Sequence, residues 1–397
     1  MHRTTTLLAA AGTTLALAAA GCGGSGSDSG GGPGDPIKLG AISSLTGQLQ
    51  FPETTAAAKA VFDRVNAAGG VDGRKIEYVV EDDKAQPAVA SQAARRLVDQ
   101  EGVVALVGGT SLASCAVNGA YLTKSKVLAV EGAGVLPQCF TSPNIAPVNT
   151  GPFAGYTSLL YFASQELKAE KVCAIVLSVP GLNDGYLAAA KRWETITGRK
   201  LAALDNSVGV SDDPTPAVLK MKQAGCDAVA FNANEPQVAP MLKAAEQQGV
   251  LDGVDWITLT SGYTAGAGKA LAKQGTTGLY SNSEYEPYTS DSAVLDDWRA
   301  LMAKAKVPLS SFAEGGYLSA TILVDTLKGI DGDITRESVT KALHATTDYR
   351  SDLVGSPFSF APAKAHNPNQ ASKIVQVAED GTWKTVSKDW LRLPQAG

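Results

Sequence analysis

Val172-Cys173-Ala174-Ile175-Val176-Leu177-Ser178 is an unbroken apolar run; the turn Pro180-Gly181-Leu182-Asn183-Asp184 follows, and Gly185 to Ile196 then has the composition of a helix. An apolar run this short, bounded by Pro and Gly, reads as a strand buried on both faces, the kind found in parallel sheets. Working outward, the same strand-turn-helix unit recurs. Upstream lie strands Ile37 to Ser44, Lys75 to Glu81, Val103 to Gly108 and Val127 to Glu131, with helices Glu53 to Ala68, Pro87 to Gln100, Ala113 to Lys124 and Phe153 to Lys168. Downstream lie strands Leu201 to Val208, Asp227 to Asn232 and Trp256 to Thr260, with helices from Asp213-Pro214 to Ala224 and from Pro236 to Gln248. Alternation of this kind means α/β architecture, parallel sheets flanked by helices; two sets of it mean two lobes.

The last third changes character. Helical patterns at Ser292 to Lys306, Phe312 to Leu327 and Arg336 to Ala345 precede strand material, and Ile374 to Ala378, Glu379-Asp380-Gly381 and Trp383 to Val386 read as a β-hairpin. That hairpin needs a sheet to pack on, so the chain is expected to cross between lobes more than once.

The N-terminus addresses the chain. Arg3, an uncharged apolar run from Leu7 to Ala20, and the small residues Ala19, Ala20 and Gly21 before Cys22 form a secretory signal over residues 1–21. Ala19-Ala20-Gly21-Cys22 resembles the bacterial lipobox, although that pattern prefers Leu where Ala19 stands. The resemblance implies cleavage before Cys22, its acylation, and an extracytoplasmic body anchored to the cell membrane. The alternative is ordinary cleavage and an unanchored body. Residues 22–36, nearly all Gly, Ser, Asp and Pro, suit a flexible leash. Beyond the signal no apolar run approaches the ~20 residues that a membrane span requires. Of the 397 residues, 34 are Lys or Arg and 39 Asp or Glu, a net charge of −5, and no basic cluster stands out, which argues against a nucleic-acid partner.

Besides Cys22 there are Cys115, Cys139, Cys173 and Cys226. With no C-x-x-C pair and three histidines, a zinc site is not expected, and no metal or cofactor is implied. Four cysteines allow three connectivities. Cys173 and Cys226 each open a strand expected to lie beside the other, about 4.8 Å away, which favours their pairing. Cys115 with Cys139 follows by elimination; free buried thiols are the alternative.

Enzyme motifs mostly fail. Gly109-Thr110-Ser111-Leu112-Ala113 is a near miss to a nucleophile elbow, and its base could only be His344 or His366. Gly266-Ala267-Gly268-Lys269-Ala270 lacks the spacing and hydroxyl of a phosphate loop. What remains is a set of polar turns at strand carboxyl ends, where open parallel sheets collect ligands: Ser43 to Gln50, Gly109 to Ser111, Glu131 to Gly134, Pro180 to Asp184, Asn232 to Glu235 and Thr260 to Tyr263. Helix capping explains any one of them alone.

Ile37-Lys38-Leu39-Gly40 leading to Leu45-Thr46-Gly47, then Asn66-Ala67-Ala68-Gly69-Gly70-Val71-Asp72-Gly73-Arg74-Lys75-Ile76, and Glu81-Asp82-Asp83 resemble the branched-chain amino-acid type of substrate-binding protein that serves ABC importers. The likeness runs from about Pro36 to the end, including Phe312…Gly316-Tyr317 and Asp380-Gly381-Thr382-Trp383. It implies a type I periplasmic-binding-protein fold, two doubly wound parallel-sheet lobes joined by three hinge crossovers near residues 149–152, 279–287 and 350–357. The N-terminal lobe is then 37–150 plus 284–352, and the C-terminal lobe 151–283 plus 353–397.

Carried over position by position, the resemblance implies that Thr110 and Ser111 match the first-lobe loop that binds a ligand carboxylate, with Ala133 a backbone contact. The chain departs at Gly134, where a Thr helps in amino-acid binders, and at Leu182 and Asn234, where Tyr residues line the second lobe. Ser261 falls where an acidic residue pairs with the ligand's ammonium. A buried ammonium without that partner loses a charge-assisted bond of about 1.5–3 kcal/mol. The expected ligand is therefore a small polar organic molecule (a carboxylate or an amide, say) rather than a plain α-amino acid, although Glu131 could restore an acid from the other lobe. Leu49, Tyr263 and Phe312 are candidate apolar walls. The reading is a monomeric binding protein, not an enzyme, that delivers its solute to an ABC permease and its ATPase subunits. A ligand-sensing receptor domain of the same fold is the rival.

Overall fold

A computed structural model describes residues 34–47, 49–367 and 369–394. The signal and acylation expected at 1–21 and Cys22, and all but the end of the leash, lie outside the described residues. The first lobe is built on strands β1 (Ile37–Ser43), β2 (Ile76–Asp82), β3 (Ala105–Val107), β4 (Ala129–Glu131) and β5 (Ile145–Pro147). They form one parallel sheet in the order β2-β1-β3-β4-β5. Helices α1 (Pro52–Ala67), α2 (Pro87–Arg95), α3 (Ser114–Lys124) and the single turn α4 (Pro137–Phe140) connect them. The helix read to Gln100 finishes instead as a π-turn over Arg96–Gln100.

After α5 (Pro152–Gln165) come β6 (Val172–Ile175), α6 (Asn183–Thr197), β7 (Ala203–Asp205), α7 (Thr215–Ala224), β8 (Ala228–Phe231), α8 (Glu235–Gln247), β9 (Asp255–Thr258), α9 (Ala265–Gln274) and β10 (Tyr280–Ser283). Then α10 (Asp296–Ala305), α11 (Ser311–Lys328) and α12 (Arg336–Ala345) lead to β11 (Ala371–Val377), β12 (Trp383–Thr385) and β13 (Leu391–Arg392). The second sheet runs β12-β11-β10-β9-β8-β6-β7, with β13 on β11. Its β7-to-β10 part is parallel, and β11 and β12 add the antiparallel hairpin. Helices α10, α11 and α12 return to the first lobe, with α11 packed along α1.

Local chemistry accounts for the sequence landmarks. The Ala-Gly-Gly-Val-Asp-Gly-Arg run closes α1 and turns into β2. Gly70 takes φ +90°, and a Cβ there would stand 2.0 Å from the Arg74 carbonyl oxygen, so only glycine fits. Val71 and Arg74 exchange backbone hydrogen bonds, and the Arg74 guanidinium donates to the Asp35 carbonyl. Gly316 of α11 lies against α1, where a Cβ would meet the Thr54 carbonyl oxygen at 1.9 Å. Both expected disulfides are present: Cys115–Cys139 ties α3 to α4 with Cα atoms 5.0 Å apart, and Cys173–Cys226 spans 5.9 Å at the start of β6 and β8. Cys173 is paired with Val229 in the ladder, so it reaches Cys226 diagonally rather than straight across.

Candidate functional site

In each parallel sheet the chain reverses direction once along the strand order, between β1 and β3 in the first and between β6 and β8 in the second. Loops leaving strands on either side of such a point diverge and leave a crevice. Here the two crevices face each other and enclose a cavity of about 70 Å³. The first lobe supplies Leu49 and Phe51 after β1, Leu112 after β3, Val135 after β4, and Phe312 at the start of α11. The second supplies Pro152, Val179 and Leu182 before α6, Tyr186 in its first turn, Val210 after β7, Asn232, Ala233 and Asn234 after β8, Gln237 in α8, and Ser261 after β9. Phe51 and Phe312 pack with ring centroids 4.9 Å apart and form one wall.

Five of the expected site residues meet here: Leu49, Leu182, Asn234, Ser261 and Phe312. The others lie apart from the cavity lining. The Thr110 hydroxyl is buried, 3.0 Å from the Thr54 hydroxyl and donating to the Gly109 carbonyl. The Ser111 hydroxyl donates to the Asp83 carboxylate and accepts from the N–H groups of Ala113 and Ser114 at the start of α3. The Ala133 N–H is directed at the Gly109 carbonyl, and the Gly134 N–H at Asn149 Oδ1. Tyr263 is not a cleft wall. Its ring stacks on Tyr288 and meets Trp383 edge-on inside the second lobe, with its hydroxyl 2.8 Å from that of Thr289. Phe51, Leu112, Val135, Pro152, Val179, Tyr186, Val210, Asn232, Ala233 and Gln237 complete the lining without having been singled out. Several fall within or beside the polar turns, but Val210 carried no signal of its own.

Among the described residues, no charged side chain lines the cavity. Its polar side chains are partly committed within the protein. Asn232 exchanges hydrogen bonds with both backbone groups of Leu177, and Ser261 donates to the Ala233 carbonyl. Gln237 Oε1 accepts the Asn234 N–H at 3.1 Å. Beneath the first-lobe loops lie two acids. Asp83 is fully buried and accepts from the Ser44 hydroxyl, the Ser111 hydroxyl and the Ala85 N–H. Glu131 is pushed up to about 8, first by burial and then by the nearby charge of Asp83.

The nucleophile elbow is not assembled. Ser111 is engaged with Asp83, while the ring nitrogens of His366 face the carbonyls of Ser142 and Ala361, and His344 packs with Phe360. After β10, Glu284 gathers a buried polar knot. Its carboxylate accepts the Gly151 N–H at 2.6 Å and the Asn149 side-chain amide, while its carbonyl accepts from Asn369. Thr150 donates to the Ala371 carbonyl beside it. Burial pushes the Glu284 carboxyl up to about 7, and the Asn149 and Gly151 donors oppose that.

Two lobes with a largely apolar crevice between facing strand ends form the kind of site that takes up a small molecule. The chain belongs to the periplasmic binding protein family, whose pattern matches residues 36–382. A leucine-, isoleucine-, valine-, threonine- and alanine-binding protein of Pseudomonas aeruginosa is 26% identical over 332 residues, covering 79% of this chain and 83% of that one. Among solved structures, the branched-chain amino-acid transporter substrate-binding protein LivJ of Streptococcus pneumoniae, in complex with isoleucine, superposes with a TM-score of 0.74. That match has 20% identity and covers 90% of this chain and 99% of the other. A fatty-acid ABC transporter substrate-binding protein of Thermomonospora curvata superposes at 0.73, with 19% identity and 91% and 97% covered. The structural likenesses establish the type I periplasmic-binding fold, and the family to which the chain belongs is one of binding proteins. Among the described residues no helix is long and apolar enough to cross a membrane.

Proposed function

We propose that the chain is an extracytoplasmic solute-binding lipoprotein that captures a small organic molecule between its lobes and delivers it to the permease of an ABC importer. The observation that carries this reading is the placement of the cavity, walled by loops from the strand ends of both sheets. A guest touching both walls favours the closed state in proportion to its differential contacts, and closure presents the surface a permease accepts. The hinge is placed near residues 149–152, 279–287 and 350–357, and the knot around Glu284 supports that placement. The lobes follow as 37–150 plus 284–352 and 151–283 plus 353–397. Binding at Leu49, Leu182, Asn234, Ser261 and Phe312 belongs to the same reading.

The expected ligand is a small molecule other than a plain α-amino acid, since among the described residues neither lobe brings a charged side chain to the cavity. A branched-chain amino acid is the second reading, supported by the name of the Pseudomonas relative. A thermal-shift screen over amino acids, aromatic acids, amides and ureas tests the function, because a ligand at 100 times its Kd adds about 2.7 kcal/mol of stability. The account expects at least one stabilising solute, with the shift abolished by Leu182→Arg in a protein that still unfolds cooperatively. A screen without any shift, or one that Leu182→Arg leaves intact, refutes it.

Anchoring through Cys22 is part of the proposal. Expressed in bacteria, the full chain should take up an alkyne-tagged fatty acid and partition with membranes, and Cys22→Ala should abolish both. Undiminished labelling of the variant would contradict acylation at that residue.

A further inference from the structure

The solute-binding reading says that the cleft holds a guest, and the chemistry around it says which kind. An anionic head needs free hydrogen-bond donors or a cation, and the first-lobe strand ends offer little of either. The Ser111 and Ser44 hydroxyls both donate to Asp83, and the N–H groups of Leu112, Ala113 and Ser114 are directed back at those same two oxygens. The N–H of Thr110 is directed at the Ser43 hydroxyl, and those of Ala133 and Gly134 at Gly109 and Asn149. Asp83 therefore engages the two hydroxyls behind Leu112, and through them the N–H groups at the start of α3, which at a strand end would otherwise be open to an anionic guest. Glu131 lies close enough to Asp83 to feel its charge, so a third carboxylate would enter a field that already opposes a second one.

The second lobe offers something different. Gln237 and Asn234 line the cavity, and the Oε1 of Gln237 is spoken for by the Asn234 N–H, which leaves the Gln237 amide NH₂ to donate. The other polar side chains of the lining, Asn232 and Ser261, are engaged with Leu177 and the Ala233 carbonyl, and the rest of the described lining is aliphatic or aromatic. At this lobe angle the cavity, about 70 Å³, is smaller than the roughly 150 Å³ that accepts benzene, so the guest is small or enters as the lobes part.

We propose that the guest carries no carboxylate: Asp83 fills the anion subsite from within, and the cleft selects an uncharged small molecule with a compact apolar body and a carbonyl oxygen that Gln237 reads. Asp83 is then a specificity-determining residue that acts through Ser44 and Ser111 rather than by touching the guest. The proposal rests on the solute-binding reading above and narrows it.

The test uses four probes on one isopropyl body, titrated by calorimetry into the mature chain: 3-methylbutanamide, 3-methylbutanoate, valinamide and valine. The neutral amide should bind at least tenfold more tightly than 3-methylbutanoate or valine, a difference well within calorimetric reach. Gln237→Leu should weaken the amide several-fold, as loss of one neutral hydrogen bond does. Asp83→Asn, which keeps the shape and removes the charge, should narrow the gap between amide and carboxylate. Equal or tighter binding of 3-methylbutanoate or valine overturns the proposal and leaves the cleft a solute site for acids. Failure of all four at millimolar concentration overturns it too. The solute-binding reading falls with it only if the broad thermal-shift screen is also silent. If the Asp83 variant does not fold, the wild-type affinity order still decides.

Discussion

At the scale of single residues, the site divides into positions where the backbone betrays the role and positions where it does not. Leu49, Leu182, Asn234, Ser261 and Phe312 were legible as crevice-lining positions, with their binding role a proposal, because each sits in or beside a turn that follows a strand or opens a helix, and parallel sheets direct such turns toward a crevice. Thr110 and Ser111 sit in turns of the same kind, yet their hydroxyls serve the protein. What a local pattern cannot show is that Asp83, 28 residues away from Ser111, returns to engage it. Tyr263 misled for a related reason, since its stacking partner Tyr288 lies 25 residues on and draws it into the lobe interior. Buried acids add a pH dependence. Glu131 and Glu284 stand in folded environments that favour the protonated form, to about 8 and about 7 against an ordinary 4.5. The folded state thus binds protons that the unfolded chain has released. Their contribution to stability is fully present below about pH 4.5 and is lost as pH rises through the folded values. Chemical denaturation across that window should show stability falling toward pH 8 and a flatter dependence in Glu131→Gln. A steeper fall in the variant would contradict the assignment.

At the scale of elements, strands buried on both faces and helices opened by Pro were readable almost throughout, because an apolar run and a missing N–H act locally. Pro52, Pro87 and Pro152 each stand in the first turn of a helix. The misses share a cause. Helix α9 is Ala-Gly-Ala-Gly-Lys-Ala-Leu-Ala-Lys-Gln, whose glycines lower helix propensity; the Thr264 hydroxyl, accepting the Ala267 N–H, caps it nonetheless. Its Gly268 lies so close to Gly381 that a Cβ would stand 2.2 Å from that residue's carbonyl oxygen. Strand β10 is Tyr-Ser-Asn-Ser, which reads as a loop; it is a strand because β9 and β11 flank it on both sides. Strand β5 is three residues ending in Pro147 at a sheet edge, where a missing donor costs nothing. The disulfide partners were legible from the expected strand order, but the diagonal reach from Cys173 to Cys226 required the actual register.

At the scale of the whole molecule, a polar, buried knot holds Asn149, Gly151, Glu284 and Asn369 together beside two of the segments proposed to join the lobes. In the proposed hinge reading, such a knot would keep the connecting segments in register as the lobes swing, much as interfaces elsewhere rotate about a few fixed contacts. The crevice tracks that angle. Its present volume of about 70 Å³ leaves room for a few solvent molecules at most, so the proposed function requires the lobes to move when a guest is admitted. The measurement that tests this most directly is small-angle X-ray scattering of the mature protein with and without the strongest solute found by thermal shift. A saturable change in the radius of gyration, absent in Leu182→Arg, is the predicted result. A scattering curve that stays the same while the solute binds stoichiometrically would contradict the account.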